Sequence, residues 1–261
     1  MNIVLITGAS SGIGKEFALQ MDKAFHTIDA FWLVARSEKK LKETERLLSH
    51  PCRLFPMDLT KEENLAFLDA QLQKEHGQLR MLVNCAGYGI LGPFAENDLA
   101  AETGMIRLNC EALTALTHRM IPYMPENSRI IQLASSAAFL PQRNFAVYAA
   151  TKAYVLSFSR ALNAELSSRK IHVTAVCPGP VDTPFFDIAE KTGKNLSIKK
   201  YVMADAPSVV TKALTDSLRK RSKSVYSLPI LGLEYISRVV PHDLILEITG
   251  KLERKGEKKE V

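Results

Sequence analysis

The sequence has few cysteines and no long apolar run. The cysteines Cys52, Cys85, Cys110 and Cys177 lie far apart, and no two of them form a Cys-x-x-Cys pair. This spacing excludes a cysteine-rich zinc site and a disulfide framework, and it predicts reduced thiols in a cytoplasmic protein. No apolar run approaches about 18 residues, so we expect no transmembrane helix. The first predicted strand begins just after Met1, so we expect no signal peptide.

Charge is in modest excess and is concentrated at one end. The formal net charge is +6, and five of the last eleven residues are Lys or Arg. A nucleic-acid-binding protein usually combines a basic patch with a reading motif, and no such motif accompanies this tail. The sequence therefore predicts no nucleic-acid partner. Residues 256–261 are predicted to form a disordered basic tail.

The composition and the order of apolar patterns predict one α/β domain over residues 1–255. The chain has 261 residues, of which 46% are hydrophobic and 24% are charged, as in ordinary globular proteins. Continuous apolar runs alternate with helical patterns, which is typical of a parallel sheet buried on both faces. Strands are predicted at residues 3–6, 31–35, 52–56, 81–83, 129–133, 173–176 and 224–227, with helices at 13–23, 39–49, 61–76, 98–124, 148–169 and 207–221.

A glycine-rich turn, Thr7-Gly8-Ala9-Ser10-Ser11-Gly12-Ile13-Gly14, connects the first strand to the first helix. Glycines permit a tight turn and close backbone approach, and a helix N-terminus presents free N–H groups to an anion. The layout predicts a site for a nucleotide pyrophosphate, although a purely structural turn would have the same pattern. A P-loop is excluded, because Ala9 stands where that motif needs its first Gly and Glu16 replaces its Ser or Thr.

The end of the second predicted strand favours NADP(H) over NAD(H). A dinucleotide-binding unit usually carries an acid here for the adenosine ribose, but this strand ends in Ala35, Arg36 and Ser37. This strand end therefore has no carboxylate that would repel a 2′-phosphate, and the Arg36 guanidinium could bind such a phosphate. The alternative is that Arg36 is a solvated residue at a helix start. After the third strand, Asp58 either accepts from the adenine amino group or, like Thr60, caps the next helix.

Tyr148 and Lys152 are four residues apart in a predicted helix and therefore share one face. A tyrosine has an unperturbed pKa of about 10, and a nearby ammonium lowers that pKa because it favours the phenolate. The pair is a candidate general acid and base. Taken alone, the same spacing also fits an ordinary solvated helix face.

Further candidate residues follow the later strands or interrupt a helix. The fourth strand opens into residues 84–87, whose small side chains let the backbone pass close to a ligand. Asn109 is a poor residue for a helix interior, and its ordinary explanation is a polar position at an interface. Ser135 and Ser136 follow the fifth strand, where ligands bind in open α/β sheets. Residues 177–184 contain three prolines and a glycine, which demand a turn after the sixth strand.

These motifs, in this order and spacing, resemble the short-chain dehydrogenase/reductase family from residue 1 to about residue 227. The resemblance rests on TGASSGIG at 7–14, NCAG at 84–87, Asn109, the set Ser135, Tyr148 and Lys152, and PGPVDTP at 178–184. It implies a single Rossmann-type, doubly wound α/β domain with a seven-stranded parallel sheet flanked by helices. It also implies an NADP-dependent oxidoreductase that acts on CH–OH and C=O groups of a small molecule.

The resemblance also supplies the roles of the catalytic residues. Tyr148 would protonate the carbonyl oxygen during reduction, and Lys152 would lower the pKa of Tyr148 and bind the ribose hydroxyls of the nicotinamide. Ser135, rather than Ser136, would hydrogen-bond to the substrate oxygen. Asn109 would hold a water molecule in a proton relay to Lys152. No metal is expected.

The expected cofactor contacts run from the glycine-rich turn to the turn after the sixth strand. The turn at 7–14 would surround the pyrophosphate, residues 84–87 would line the adenosine side, and residues 178–183 would lie at the nicotinamide. The full set is Gly8, Ser10, Ser11, Gly12, Ile13, Gly14, Arg36, Ser37, Asp58, Leu59, Asn84, Ala86, Gly87, Tyr148, Lys152, Pro178, Gly179, Val181 and Thr183.

The substrate is predicted to be hydrophobic, either steroid-like, lipid-like or acyl-like. Residues 184–206 form a long irregular connection, which is typical of a lid over a substrate site. The lid supplies a predicted apolar wall, which consists of Phe185, Phe186, Ile188, Tyr201 and Met203.

The apolar C-terminal segment, residues 228–252, has three possible uses. It could cover the substrate pocket, join subunits or rest on a membrane surface, and the first two are favoured because apolar helices usually bury themselves in protein. The resemblance implies a homodimer or homotetramer through the helices that carry Asn109 and Tyr148.

Two other functions are alternatives to a reductase. A dinucleotide-binding sensor or scaffold without turnover would need only the glycine-rich turn and Arg36, and the intact catalytic set argues against it. An epimerase or dehydratase would need a larger substrate domain than this chain has room for.

Overall fold

The computed structural model describes residues 1–190 and 203–257, with side chains up to Lys251. Its centre is one parallel sheet of seven strands in the order β3-β2-β1-β4-β5-β6-β7. The strands are β1 (Asn2–Thr7), β2 (Ala30–Ala35), β3 (Cys52–Pro56), β4 (Gln78–Asn84), β5 (Arg129–Leu133), β6 (His172–Val176) and β7 (Lys223–Ser224). The predicted seven-stranded, doubly wound Rossmann-type sheet is thereby confirmed.

Helices connect consecutive strands and cover both faces of the sheet. They are α1 (Gly12–Ala24), α2 (Glu38–Glu45), α3 (Glu62–Lys74), α4 (Leu99–Ile106), α5 (Leu113–Met120), α6 (Ala146–Glu165), α7 (Phe185–Ala189), α8 (Ala206–Leu218), α9 (Leu228–Val239) and α10 (His242–Glu257). Because the strand order reverses direction between β1 and β4, a crevice opens there at the carboxyl ends of the strands.

Alternate residues of each central strand supply two separate cores. Ile3 and Leu5 of β1 belong to the core on one face, which α3, α5 and α6 complete. Val4 and Ile6 belong to the core on the other face, which α1, α2 and α8 complete. All four side chains have no solvent exposure, so β1 is apolar without interruption, as a strand covered on both faces requires.

The helix predicted over 98–124 is present but not uniform. Between α4 and α5, residues Arg107–Ala112 form a π-helical turn with Asn109 inside it. Such turns insert an extra residue into a helix and are frequent at functional sites. The polar Asn109 is thus accommodated by a local change of helical pitch, which the sequence pattern does not reveal.

The C-terminal third differs in several details from the prediction. The residues after the prolines begin with a short helix, α7, where an irregular pattern was expected. Strand β7 is only two residues long, and α10 continues through Gly256 to Glu257. The lid residues 191–202, Tyr201 among them, and the tail residues 258–261 lie outside the described residues. Within the described ranges, no helix combines the length and hydropathy that a membrane span requires.

Candidate active site

Tyr148 and Ser135 meet at the carboxyl end of the sheet. Tyr148 lies in the first turn of α6, while Ser135 follows β5 and its Oγ accepts a hydrogen bond of 3.1 Å from the backbone N–H of Ala137. This bond caps the 3₁₀ turn Ser136–Phe139 and fixes the serine in place. The Ser135 hydroxyl is also near enough to the Tyr148 phenol to act on its pKa. The fold therefore assembles two residues that the sequence placed thirteen positions apart.

Lys152 lies one helical turn after Tyr148 and points into the same site. Its Nζ is 5.6 Å from the centroid of the Tyr148 ring and donates a hydrogen bond of 2.7 Å to the carbonyl oxygen of Leu133. The two residues are only 7% and 5% exposed, which contradicts the alternative of a solvated helix face. Burial lowers the pKa of Lys152 to about 8, because a charged ammonium is poorly solvated there.

Burial also decides the pKa of Tyr148. Desolvation raises the pKa of Tyr148 to about 12, although the Ser135 hydroxyl acts in the opposite direction. The sequence predicts that Lys152 lowers this pKa, but in the structure desolvation outweighs any such effect. At neutral pH the phenol is therefore protonated and can donate a proton to an acceptor beside it.

Asn109 holds the loop after β4 against α6. Its Oδ1 accepts a hydrogen bond of 3.1 Å from the backbone N–H of Tyr88, and its Nδ2 donates to the Tyr88 carbonyl at 2.9 Å and to Thr151 Oγ1 at 3.2 Å. A Cβ added at Gly87 would lie 2.9 Å from Asn109 Oδ1 and 3.6 Å from Lys152 Nζ. Asn109 is thus close to the lysine, and its side chain is used as a structural clamp. The predicted water relay stays a prediction.

The glycine-rich turn forms the far end of the same cleft. Gly8 and Gly12 have φ values of +66° and +52°, in the left-handed region that favours glycine. A Cβ added at Gly14 would collide with the carbonyl oxygen of Gly8. Thr7 Oγ1 accepts hydrogen bonds of 3.1 Å from the backbone N–H groups of Cys85 and Ala86. These two bonds, which no local sequence pattern indicates, join the turn after β1 to the loop after β4.

The predicted adenosine residues after β2 and β3 also line the cleft. Arg36, Ser37, Asp58 and Leu59 all face it. Ser37 caps α2 through the N–H of Lys40. Asp58 does not cap α3, because α3 begins after Lys61. The Oδ1 atom of Asp58 instead accepts hydrogen bonds of 2.9 Å from the backbone N–H of Thr60 and 2.8 Å from the Thr60 hydroxyl. These bonds, chiefly that of the Thr60 N–H, lower the pKa of Asp58, and the nearby Arg36 contributes to the same direction.

Asn84 is placed differently from the prediction. It does not line the cleft, because its side chain turns into the interior and donates hydrogen bonds of 3.0 Å to Thr117 Oγ1 and Gln132 Oε1. Gln132 in turn donates to Thr117 at 3.0 Å. This buried triangle joins β4, β5 and α5. The residues after it, Ala86 and Gly87, face the cleft as expected.

The opposite end of the cleft is apolar. The predicted contacts Pro178, Gly179, Val181 and Thr183 line the cleft in the turn after β6. The predicted wall residues in α7 line it as well, whereas Met203 is exposed and does not. Phe145, a further apolar wall residue, lacks any local sequence signal. Ile230 and Leu233 also line the cleft, in agreement with the pocket-covering use among the three predicted for residues 228–252.

Tyr148 lies within a group of aromatic rings at this end. The Phe145 ring stacks on the Tyr148 ring with centroids 4.2 Å apart and planes at 21°, and the Phe185 centroid lies 5.4 Å from that of Tyr148. The whole cleft, from Arg36 to Leu233, has a volume of about 910 Å³. This space is sufficient for a dinucleotide together with a small molecule.

Comparisons with known proteins agree with this geometry. The sequence profile described as short chain dehydrogenase matches residues 2–193. An uncharacterized oxidoreductase of Staphylococcus epidermidis is 29% identical over 230 residues, which cover 87% of this chain and 97% of that protein.

Two solved structures resemble the full length of the chain. A short-chain dehydrogenase from Sphingobium yanoikuyae in complex with NADPH has a TM-score of 0.77 at 27% identity, covering 100% of this chain and 96% of the other. A bulky-bulky ketone specific alcohol dehydrogenase from Comamonas testosteroni has a TM-score of 0.71 at 25% identity, covering 100% and 95%.

Proposed function

The chain belongs to the short-chain dehydrogenase family, and we propose that it interconverts a hydrophobic ketone and a secondary alcohol with NADP(H) as its cofactor. The observation that carries this proposal is the buried group of Ser135, Tyr148 and Lys152, which lies midway along one cleft. The glycine-rich turn and Arg36 are at one end of that cleft, and apolar side chains are at the other. The group supplies a proton where the two ends meet.

A pyrophosphate site in the turn after β1 is supported by its backbone. Gly8 and Gly12 have positive φ values, and a Cβ added at Gly12 would lie only 3.2 Å from the side chain of Thr183, so a glycine is needed for this close approach. The N–H groups at the start of α1 would hold the pyrophosphate. Arg36 would pair with the 2′-phosphate, and Thr183 would lie near the nicotinamide. When bound, the dinucleotide supplies or accepts the hydride.

The remaining steps fall to the protein's own side chains. In the direction of reduction, the Tyr148 phenol would donate its proton to the carbonyl oxygen as the alcohol forms, and in oxidation Tyr148 would take the proton back. Ser135 would hydrogen-bond to the same oxygen and hold it beside the phenol. Lys152 would stabilise the phenolate left behind and, through the relay with Asn109, return a proton to it.

The preference for NADP(H) is tested by cofactor binding. We expect NADPH to bind at least tenfold more tightly than NADH, since one charge-assisted contact of Arg36 contributes roughly 1.5–3 kcal/mol. Arg36→Ala should weaken NADPH binding about tenfold or more and leave NADH binding nearly unchanged. The control is Arg46→Ala, which changes an exposed arginine at the other end of α2. Equal binding of both cofactors by the unmodified protein would contradict this preference.

A hydrophobic substrate is supported by the walls around Tyr148. Phe145 and Phe185 lie against the Tyr148 ring, and Leu233 lines the same cleft. The Comamonas testosteroni protein of similar structure is described as specific for bulky ketones. Steady-state kinetics with NADPH should show kcat/KM values for aryl alkyl ketones well above those for polyol ketones. The opposite ranking would exclude the hydrophobic class.

We also propose a homodimer or homotetramer, formed through α4, α5 and α6. Ile106 and Tyr154 are large exposed side chains on these neighbouring helices, and the Tyr154 phenol is 2.8 Å from Thr114 Oγ1. Light scattering of the purified protein should give a mass that is a multiple of the chain mass, and Tyr154→Glu should reduce it. The cytoplasmic location stays a prediction from the sequence.

A further inference from the structure

The helix α9 has one face toward the cleft and the other toward solvent. Ile230 and Leu233, near its N-terminus, line the cleft. Leu231 and Tyr235, on the other side of the same helix, are exposed. A substrate in the cleft would therefore contact α9 through one pair of side chains, and the outward residues would not contact it.

The position of α9 is fixed beside the catalytic serine. Ile230 is 4% exposed and packs in one cluster with Phe139, Cys177 and Val225. Phe139 belongs to the 3₁₀ turn that Ser135 caps, and α9 packs directly against this turn. The wall that α9 presents is thus held at a defined distance from Ser135 and Tyr148.

An ion pair holds the middle of α9 to the edge of the sheet. Glu234, the residue after Leu233, is 7% exposed and pairs with Lys223 of β7 and with Arg238 of the next helical turn. Lys223 Nζ also lies 6.0 Å from the centroid of the Phe139 ring. Because a buried carboxylate that loses its partner is costly, removal of Lys223 should displace this part of the helix.

We propose that Leu233 sets the upper size of the substrate, and that the Lys223–Glu234 pair is the positioning device that keeps Leu233 in place. The side chain of Leu233 opposes the part of the substrate that extends beyond the carbonyl group. This inference rests on the proposed function, because it assigns a substrate-facing role within the same cleft.

The test measures size selectivity in the full-length protein with NADPH. The readout is the ratio of kcat/KM for a bulky aryl alkyl ketone, such as valerophenone, to that for acetophenone. Leu233→Ala should raise this ratio about tenfold or more. One methylene group gained or lost in a hydrophobic pocket changes the discrimination between two substrates by about 10-fold to 200-fold. Leu233→Phe should lower the ratio. The matched control is Leu231→Ala, on the solvent side of the same helix, which should leave the ratio within twofold.

The positioning pair is tested by the same ratio. Lys223→Met should weaken discrimination between the two ketones, because the buried Glu234 carboxylate then has only Arg238 to balance its charge. The double variant Lys223→Met with Glu234→Leu should restore the ratio toward that of the unmodified protein, since an apolar pair of similar volume can replace a buried ion pair. A role limited to overall stability would change the unfolding temperature and leave the ratio unchanged, and this result would overturn the positioning role.

A second readout separates this inference from the proposed function. Ketone affinity is also measured without turnover, as the shift in unfolding temperature that each ketone causes at saturating NADP⁺. If the unmodified protein reduces no ketone, the proposed function fails. A larger shift in unfolding temperature with valerophenone in Leu233→Ala would still support the size-limiting role of Leu233. That role would be overturned by unchanged selectivity and unchanged shifts in the folded Leu233 variants, or by an equal change in Leu231→Ala.

Discussion

The dinucleotide end and the substrate end of the cleft are held by different kinds of contact. At the dinucleotide end, backbone groups and short polar side chains come together: Thr7 binds two N–H groups of the loop after β4, and Asn84 lies in a buried triangle below it. At the substrate end, the rings of Phe145 and Phe185 pack against Tyr148, and Ile230 and Leu233 of α9 line the same cleft. Directional bonds fix the first end, whereas shape and volume fix the second.

This difference implies different tolerance to substitution. Hydrogen bonds between buried groups have narrow geometry, and the loss of one partner leaves the other unsatisfied. Apolar packing tolerates changes that conserve volume. The dinucleotide end should therefore accept few substitutions, while the substrate end should change its selectivity before it loses stability. Substitutions at each end and at the junction of the two ends can test this contrast.

The largest expected effect is at Tyr148, where the two ends meet. Tyr148→Phe removes the proton donor and keeps the stacked ring, so we expect turnover to fall by about 10²–10⁴-fold. Cofactor binding should stay within twofold, because the dinucleotide end is unchanged. The control is Tyr154→Phe, an exposed tyrosine of the same helix. Parallel loss of NADPH affinity and turnover would show that Tyr148 supports the site and does not act in the chemistry.

A pair of helical glycines compares a packed position at the dinucleotide end with the solvent side of α9. Gly14→Ala would force a Cβ against the Gly8 carbonyl oxygen, whereas no atom lies within 4 Å of a Cβ added at Gly232 of α9. The first variant should lose about 3 kcal/mol of unfolding free energy and bind NADPH more weakly. The second should gain about 0.5–1 kcal/mol, since alanine favours a helix. Denaturant titration measures both values, and equal destabilisation would show that Gly14 is no more tightly packed than a glycine on the solvent side of α9.

A smaller effect is expected at Lys152, and its sign depends on pH. Burial lowers its pKa from 10.5 to about 8, so between these values the unfolded chain binds a proton that the folded protein does not. The buried ammonium lowers the free energy of unfolding by its full amount below pH 8, and this destabilisation disappears as the pH rises to 10.5. In the absence of cofactor, Lys152→Met should therefore be more stable than the unmodified protein at pH 7, by about 1–2 kcal/mol after loss of the bond to Leu133.

The measurement for Lys152 is a series of denaturant titrations from pH 7 to pH 10.5. The stability difference between Lys152→Met and the unmodified protein should shrink over that range. Lys42→Met, at an exposed lysine of α2 that pairs with Glu38, serves as the control for removal of a lysine at the surface. A difference that grows with pH would mean that the folded protein holds the Lys152 proton more tightly than the unfolded chain does.

The sequence predicted the fold and much of the site because these features depend on local chemistry. Uninterrupted apolar runs give strands covered on both faces, and the four-residue spacing of Tyr148 and Lys152 places them on one helix face. The glycine positions of the first turn follow from backbone conformations that other residues rarely adopt. Each of these signals lies within one segment, so it is readable without the rest of the chain.

The remaining features depend on contacts between distant segments. No local sequence pattern showed that Phe145 and Leu233, which are far apart in the sequence, would line the same cleft. Likewise, no local pattern showed that the Asn84 side chain would turn away from the cleft toward Gln132. The pKa of Tyr148 likewise follows from how completely neighbouring elements exclude water, and not from its spacing to Lys152. The sequence by itself determined the succession of strands and helices along the chain and identified the candidate set Ser135, Tyr148 and Lys152. Only the tertiary structure decided the shape of the substrate wall and the desolvation of the proton donor, because both arise from the packing of the whole chain.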